Sequence, residues 1–464
     1  MFKRILIANR GEIAVRILRT CMEMEIDTVA VYSTVDAEAL HVKLSVDSVC
    51  IGSERAADSY LNMDAIVAAA VSMNCDAIHP GYGFLSENAD FADKCRENGI
   101  EFIGPSGDVI RKLGDKAAAR SLMISAGVPV VPGSDGALHS MEEGRQLASE
   151  IGYPVLIKAS AGGGGRGMRR VFSPEAFDTL YKEAESEALA CFGNGELYLE
   201  KLIQSPKHIE FQILADKKGN IIHLGERDCS IQRKNQKLIE ETPSKVLTPE
   251  LRKKMGEAAV NAARAGKYFS AGTIEFVLDK NNNFYFIEMN TRVQVEHPIT
   301  EMVTGIDIIR EQIRIAAGMT LDYKQDEVKL SGHAIECRIN AEDTMHDFKP
   351  SPGKVTFLHF PGGRGVRVDS ALYNGYEIPP YYDSLSAKII TFAKTRLEAI
   401  RIMRKALEEL VIEGVTTNEI LLHLILYDPE FMWGKYNTGF IDQKLEGYIK
   451  WDDLYDRISE QEKE

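Results

Sequence analysis

No apolar run in these 464 residues approaches the roughly 20 needed to span a bilayer; residues 420–427 form one of the longest, and it contains His423, so no membrane partner is expected. Cationic charge is also in deficit. Lys and Arg total 55 against 69 Asp and Glu, a formal net charge of −14 and a pI near 5.4, which disfavours general attraction to nucleic acid or anionic lipid. An anionic ligand must then be drawn in by local Lys, Arg, backbone amides or a metal ion. The seven cysteines, Cys21, Cys50, Cys75, Cys95, Cys191, Cys229 and Cys337, are odd in number and never spaced C-x-x-C, as packed free thiols of a reducing compartment would be. The ten histidines contain no H-E-x-x-H, no G-x-S-x-G occurs, and Gly266-Lys267 is followed by Tyr268, so zinc-protease, serine-hydrolase and P-loop chemistry lack their residues. The first apolar stretch, residues 5–8, is interrupted by Asn9, Arg10 and Glu12 before it could form a signal-peptide core, and a cytoplasmic location is expected.

What is present reads as an ordinary globular chain, with 44% hydrophobic and 27% charged residues. At about 150 residues per domain the length suggests roughly three lobes. The opening third alternates strand-like and helix-like text: strands at 4–8, 28–32 and 76–79, helices at 12–24 and 61–72. Repeated βαβ units predict a mostly parallel sheet. A dinucleotide-binding fingerprint should follow its first strand, and only Asn9-Arg10-Gly11-Glu12 stands there, so the NAD reading falls. After a Pro-rich hinge at 128–133, strands at 154–158, 168–171 and 196–200 with a helix from 174 form a second lobe. Antiparallel signals dominate 204–318, and a final α+β lobe starts at Ser331. The expected fold class is therefore mixed α/β and α+β. The acidic stretch from residue 447 to 464 is expected to be a frayed tail.

Three features carry chemistry. Gly162 to Gly167 lies between two strands, the first ending near Lys158, which predicts a flexible loop whose amides close over phosphates. Residues 273–290 read as a hairpin turning on Asn281-Asn282, a register that sets Glu275 opposite Glu288. Directly opposed carboxylates about 5 Å apart repel by on the order of 3 kcal/mol at an effective dielectric near 20. A divalent cation with hard oxygen ligands relieves this, and Asn290 can add a carbonyl oxygen. If the strand continues, its period of two puts Glu288, Asn290, Arg292, Gln294 and Glu296 on one face. Such a face holds a small oxyanion beside a metal-bound phosphate, with Arg292 as a fork of donors and Glu296 as a base.

On the motifs at 4–14, 79–88, 158–168, 226–230, 288–297 and 338–343, the chain resembles the biotin carboxylases, ATP-grasp enzymes, over nearly its whole length. The resemblance is closest to the biotin carboxylase subunits of acetyl-CoA carboxylases, with a two-subunit pyruvate carboxylase as the alternative. It implies an N-terminal Rossmann-like domain at 1–115, an ATP-grasp domain at 116–330 with a mobile lid at about 131–203, and a C-terminal domain at 331–446. It also implies that Lys116, Lys158, Gly164, Gly165 and His208 bind ATP, that Glu200, Lys201, Leu202 and Ile203 hold adenine, and that Gln232 and Asn235 lie by the nucleotide. Many relatives have a His where Asn235 stands. Glu275, Glu288 and Asn290 match the ligands of two Mg2+ ions, for which Mn2+ can substitute. Arg292, Gln294 and Val295 match the bicarbonate site, Glu296 the base, Lys237 a cation at the carboxyphosphate region, and Arg338 the group beside biotin. No Met-Lys-Met attachment sequence occurs, so biotin is expected on a separate carrier protein, with carboxyltransferase subunits as further partners and a homodimer as the assembly.

Overall fold

The computed structural model describes residues 1–160 and 167–461. Its first sheet contains β1 (Arg4–Ile7), β2 (Asp27–Ser33), β3 (Asp47–Gly52), β4 (Ala77–His79) and β5 (Glu101–Phe102), ordered β3-β2-β1-β4-β5 with every pair parallel. β3 escaped the sequence reading because it is an edge strand in which only Ile51 is buried, so it lacks the continuous apolar run of a central parallel strand. Asn9, between β1 and helix α1 (Gly11–Glu23), donates from Nδ2 to the carbonyls of Pro80 and Tyr82, each at 2.7 Å. The bond ties the loop after β4 to the carboxyl ends of the parallel strands, the side on which open α/β sheets bind ligands.

A small antiparallel sheet, β7-β6-β8, holds β6 (Val155–Ala159), β7 (Met168–Val171) and β8 (Leu197–Lys201). Phe177, Tyr181 and Ala184 of the helix Phe177–Phe192 bury its apolar residues Val155, Ile157 and Leu199. The glycine run thus joins two antiparallel neighbours, with Lys158 paired to Met168, while Gly164 and Gly165 themselves lie outside the described residues.

The largest sheet has eight strands. β9 (Lys207–Ala215), β10 (Ile221–Arg233), β11 (Gln236–Thr242), β12 (Ser270–Leu278), β13 (Phe284–Asn290) and β14 (His333–Asn340) run in the order β13-β12-β9-β10-β11-β14, followed by the strands Leu385–Ala393 and Val366–Ser370. The sequence reading set the region ending near residue 318 apart from a final lobe. The structure joins them, because β11 pairs with β14 from Ile239↔Cys337 to Thr242↔Ala334. Pairing between strands so distant in sequence leaves no local signal. The expected tail from residue 447 begins inside a helix, Phe440–Gln461, and its last three residues lie outside the described residues. Phe440, Ile441, Leu445 and Tyr448 pack at helical spacing against the core of the last lobe. No helix among the described residues is long and apolar enough to cross a membrane.

Candidate active site

The β12–β13 hairpin sets Glu275 opposite Glu288 by a different route from a two-residue turn. Leu278 pairs with Phe284, and Asp279 N–H donates to the Asn283 carbonyl at 2.9 Å, leaving a three-residue loop in which Asn282 is left-handed at φ 64°. A bulge on β13 between Phe286 and Glu288 then shifts the register by one and brings the glutamates into line. β13 ends at Asn290, so residues 291–296 are a loop entering the helix His297–Thr304 rather than a continued strand face. The cause lies in their partners: Thr291 N–H donates to Glu87 Oε1 at 3.0 Å instead of to a strand. The side chains converge all the same, with Asn290 Nδ2 and Gln294 Nε2 each donating to Glu275 Oε1 at 2.8 Å.

Lys237 is the centre of this cluster. Its ammonium donates to Glu296 Oε1 at 2.5 Å, Glu210 Oε2 at 2.6 Å and Glu275 Oε1 at 3.2 Å. His208 Nε2 lies 3.0 Å from Glu275 Oε2. Burial works against the charge on Glu275, but Lys237 and His208 outweigh it and hold this carboxyl well below the usual range. The His208 imidazole is in turn raised against its burial, chiefly by Glu275. Glu288 is furnished differently: burial and the facing Glu275 push its carboxyl up, and Lys116 Nζ stands 3.9 Å away.

On the opposite side of Lys237, Arg338 donates from Nε to Glu240 Oε1 at 2.6 Å and from Nη2 to Glu296 Oε2 at 3.0 Å. Burial opposes the charge on Glu296, yet Lys237, Arg338 and Arg227 hold its carboxyl well below the usual range. Glu240 is pushed up to about 7 by burial, with Arg338 opposing and Glu296 adding to the rise. Fully buried Arg227 is satisfied by Glu210 (2.5 Å), Gln212 (2.7 Å), Gln294 Oε1 (2.7 Å), Thr300 (3.0 Å) and Thr273 (3.1 Å). Arg292 reaches Glu87 Oε2 at 2.9 Å and Asn290 Oδ1 at 3.2 Å, and the Val295 carbonyl accepts from Lys388 Nζ at 2.8 Å.

In the small antiparallel sheet, Lys158 Nζ meets Glu200 Oε2 at 2.5 Å, and Lys201 Nζ donates to the carbonyls of Gly152 (2.8 Å) and Tyr153 (3.1 Å). Leu202 and Ile203 follow β8, the former donating its N–H to the Pro154 carbonyl at 3.1 Å. Gln232 is buried at the end of β10. Asn235 is exposed at the tip of the turn that pairs Arg233 with Gln236; it and Lys234 are both left-handed, at φ 66° and 48°. Asn suits that backbone, so turn geometry by itself accounts for the residue type there. Sequence reasoning gave no role to Glu87, Glu210, Arg227, Glu240 or Lys388. Cys229, read as packing, has its Sγ 3.8 Å from Glu296 Oε1. Glu210 shares a strand face with His208, and Arg227 and Cys229 fall inside the 226–230 motif, so that much was within reach of the sequence.

Hard oxygen donors with an under-neutralised Glu288 among them fit a divalent cation, which would supply positive charge at this site. A small lysine-bearing antiparallel sheet beside a large, mainly antiparallel one that carries such a carboxylate pair is the architecture of an ATP-grasp ligase. Family models match the biotin carboxylase N-terminal domain at residues 1–110, the ATP-binding domain of the carbamoyl-phosphate synthase L chain at 115–324, and the biotin carboxylase C-terminal domain at 336–443. The chain is 58% identical to a biotin carboxylase of Nostoc sp. over 95% of its length and 99% of that protein's. It is 50% identical to a pyruvate carboxylase subunit of Methanothermobacter thermautotrophicus over 96% of its length and 91% of that protein's. The biotin carboxylase domain dimer of Hydrogenobacter thermophilus 2-oxoglutarate carboxylase, crystallised with MgADP, ADP and bicarbonate, superimposes with a TM-score of 0.92 at 53% identity, covering 97% of this chain and 99% of that one. The chain belongs to the biotin carboxylase family of ATP-dependent ligases.

Proposed function

We propose that this chain carboxylates biotin held on a carrier protein, from ATP and bicarbonate, as the first half-reaction of an acetyl-CoA carboxylase. The observation that carries the chemistry is the single Lys237 ammonium shared by Glu275, on the metal-suited pair, and Glu296, which Arg338 also holds. One cation therefore links a phosphate-binding half to a proton-accepting half.

In this reading Lys116, Lys158, His208 and the Gly164-Gly165 loop bind ATP, residues 200–203 hold adenine, and Gln232 and Asn235 border the nucleotide. Glu275, Glu288 and Asn290 would hold two Mg2+ ions, or Mn2+ in their place, which supply charge neutralisation at the phosphates. Bicarbonate lies against Arg292, Gln294 and Val295. Glu296 takes its proton, an oxygen attacks the γ-phosphorus as ADP leaves, and carboxyphosphate forms beside Lys237. The cations that hold Glu296 ionised also weaken it as a base. Bicarbonate resolves this by drawing on those same cations as it binds, which returns proton affinity to Glu296. Carboxyphosphate then breaks down to CO2 and phosphate; phosphate takes the proton of the biotin ureido nitrogen, which attacks CO2 while Arg338 stabilises the ureido oxygen. Lid closure keeps water from the labile intermediate.

The proposed assembly is a cytoplasmic homodimer served by a biotin carboxyl carrier protein and carboxyltransferase subunits. Relatives named for pyruvate and 2-oxoglutarate carboxylation share the fold, so the acceptor is set by the partner. Capture of the biotinylated carrier with its carboxyltransferase, followed by transfer assays, tests the assignment. Carboxyl transfer to acetyl-CoA is expected; transfer to pyruvate or 2-oxoglutarate alone would overturn it.

A further inference from the structure

Lys388 has no solvent exposure, and burying an ammonium forfeits its hydration. Its contacts lie on two separate parts of the molecule. Nζ pairs with Glu12 Oε1 of α1 at 3.0 Å and donates to the Val295 carbonyl at 2.8 Å. In the sheet, Lys388 shares one rung with Arg338 of β14 on one side and Asp369 on the other. Side chains on one rung share a face, so two neighbouring cations hold successive residues of one loop: Lys388 the Val295 carbonyl, Arg338 the Glu296 carboxylate. The preceding carbonyl, of Gln294, is engaged by His297 Nδ1 at 2.8 Å. The Val295 carbonyl and the Glu296 N–H belong to one peptide plane, so fixing the first fixes the direction from which the Glu296 side chain leaves the backbone.

We propose that Lys388 is a positioning residue for bicarbonate chemistry: it clamps the Val295 carbonyl to α1 and the sheet, and so holds Gln294, Val295 and Glu296 in the arrangement that binds and deprotonates bicarbonate. The inference rests on the function proposed above and adds a residue to it that never touches substrate.

Three variants test it. Lys388→Met keeps the aliphatic stem and removes the donors; Lys388→Met/Glu12→Gln also removes the carboxylate charge that the first variant strands; Glu12→Gln alone keeps the Lys388–Val295 bond. Thermal melting and ADP release, titrated separately in ATP and in bicarbonate, are read on each. The double variant is expected to melt closer to wild type than Lys388→Met does. In both Met variants kcat/KM for bicarbonate should fall by about 10²-fold while the ATP KM stays within about twofold, and Glu12→Gln should keep its bicarbonate KM. Parallel loss in ATP and bicarbonate, a wild-type bicarbonate KM in the folded double variant, or failure of both Met variants to fold would each reduce Lys388 to a structural residue and overturn the proposal. Wild-type ADP release that ignores bicarbonate would instead bring down the proposed function itself.

Discussion

Glu275 and Glu288 stand opposite each other on paired strands, and the protein neutralises the first far more fully than the second. Glu275 receives Lys237, His208, Asn290 and Gln294, whereas Glu288 has Lys116 at 3.9 Å and is pushed up by burial and by Glu275. The asymmetry leaves negative charge where a bridging cation would sit.

Glu288→Gln should therefore abolish carboxylation and leave the fold intact, since it removes the unneutralised charge and keeps the shape. Initial rates titrated with magnesium check this. Wild-type turnover with an unchanged magnesium dependence would remove the hairpin pair from the metal site.

Lys237→Met should destabilise the protein by about 3–5 kcal/mol, as loss of one partner in a buried ion cluster does. Glu275 and Glu296 would then lose the cation that does most to lower their carboxyls, and both would titrate higher in the folded variant than in the wild type. A carboxyl so raised holds more protons in the folded state, so the variant regains stability relative to wild type as pH falls. Its melting deficit should narrow as pH falls through the raised carboxyl values, and a deficit independent of pH would mean that Glu275 and Glu296 do not depend on this ammonium.

Glu241 offers the opposite sign, away from the reaction. It accepts from Arg396 Nε at 2.6 Å and His333 Nε2 at 2.8 Å, and against its burial Arg396 and His333 pull its carboxyl far below the usual range. A lowered carboxyl contributes stability above the unfolded pKa, about 4.3, and loses it as pH falls toward the folded value. Glu241→Gln should cost about 3–5 kcal/mol near neutrality, and the gap from wild type should shrink below about pH 4. Urea denaturation at both pH values would expose a gap that stays constant, which the account does not allow.

Much of the site was legible because its motifs are short and local. The Glu275–Glu288 pairing followed from hairpin periodicity, although a three-residue loop and a bulge, not a two-residue turn, produce it. The row from Asn290 to Glu296 converges on Glu275 and Lys237 as loop side chains rather than as one strand face, so its residues were readable and its backbone was not. Lys388 and Glu240 meet the site through pairings between distant segments, and nothing in their neighbours in sequence marks them, whereas Glu87 lies within the 79–88 motif. The same blindness hid the union of β11 with β14.

The central claim is that Glu296 serves the bicarbonate step and Arg338 the biotin step, with Lys237 between them. ADP release and carboxybiotin formation, measured in the same samples of Arg338→Ala and Glu296→Ala with and without free biotin, test it most directly. Arg338→Ala should lose carboxybiotin by about 10²- to 10³-fold, the usual effect of removing one oxyanion donor, while keeping bicarbonate-dependent ADP release. Glu296→Ala should lose both. Parallel loss of both products in Arg338→Ala, together with ADP release spared in Glu296→Ala, would contradict the account.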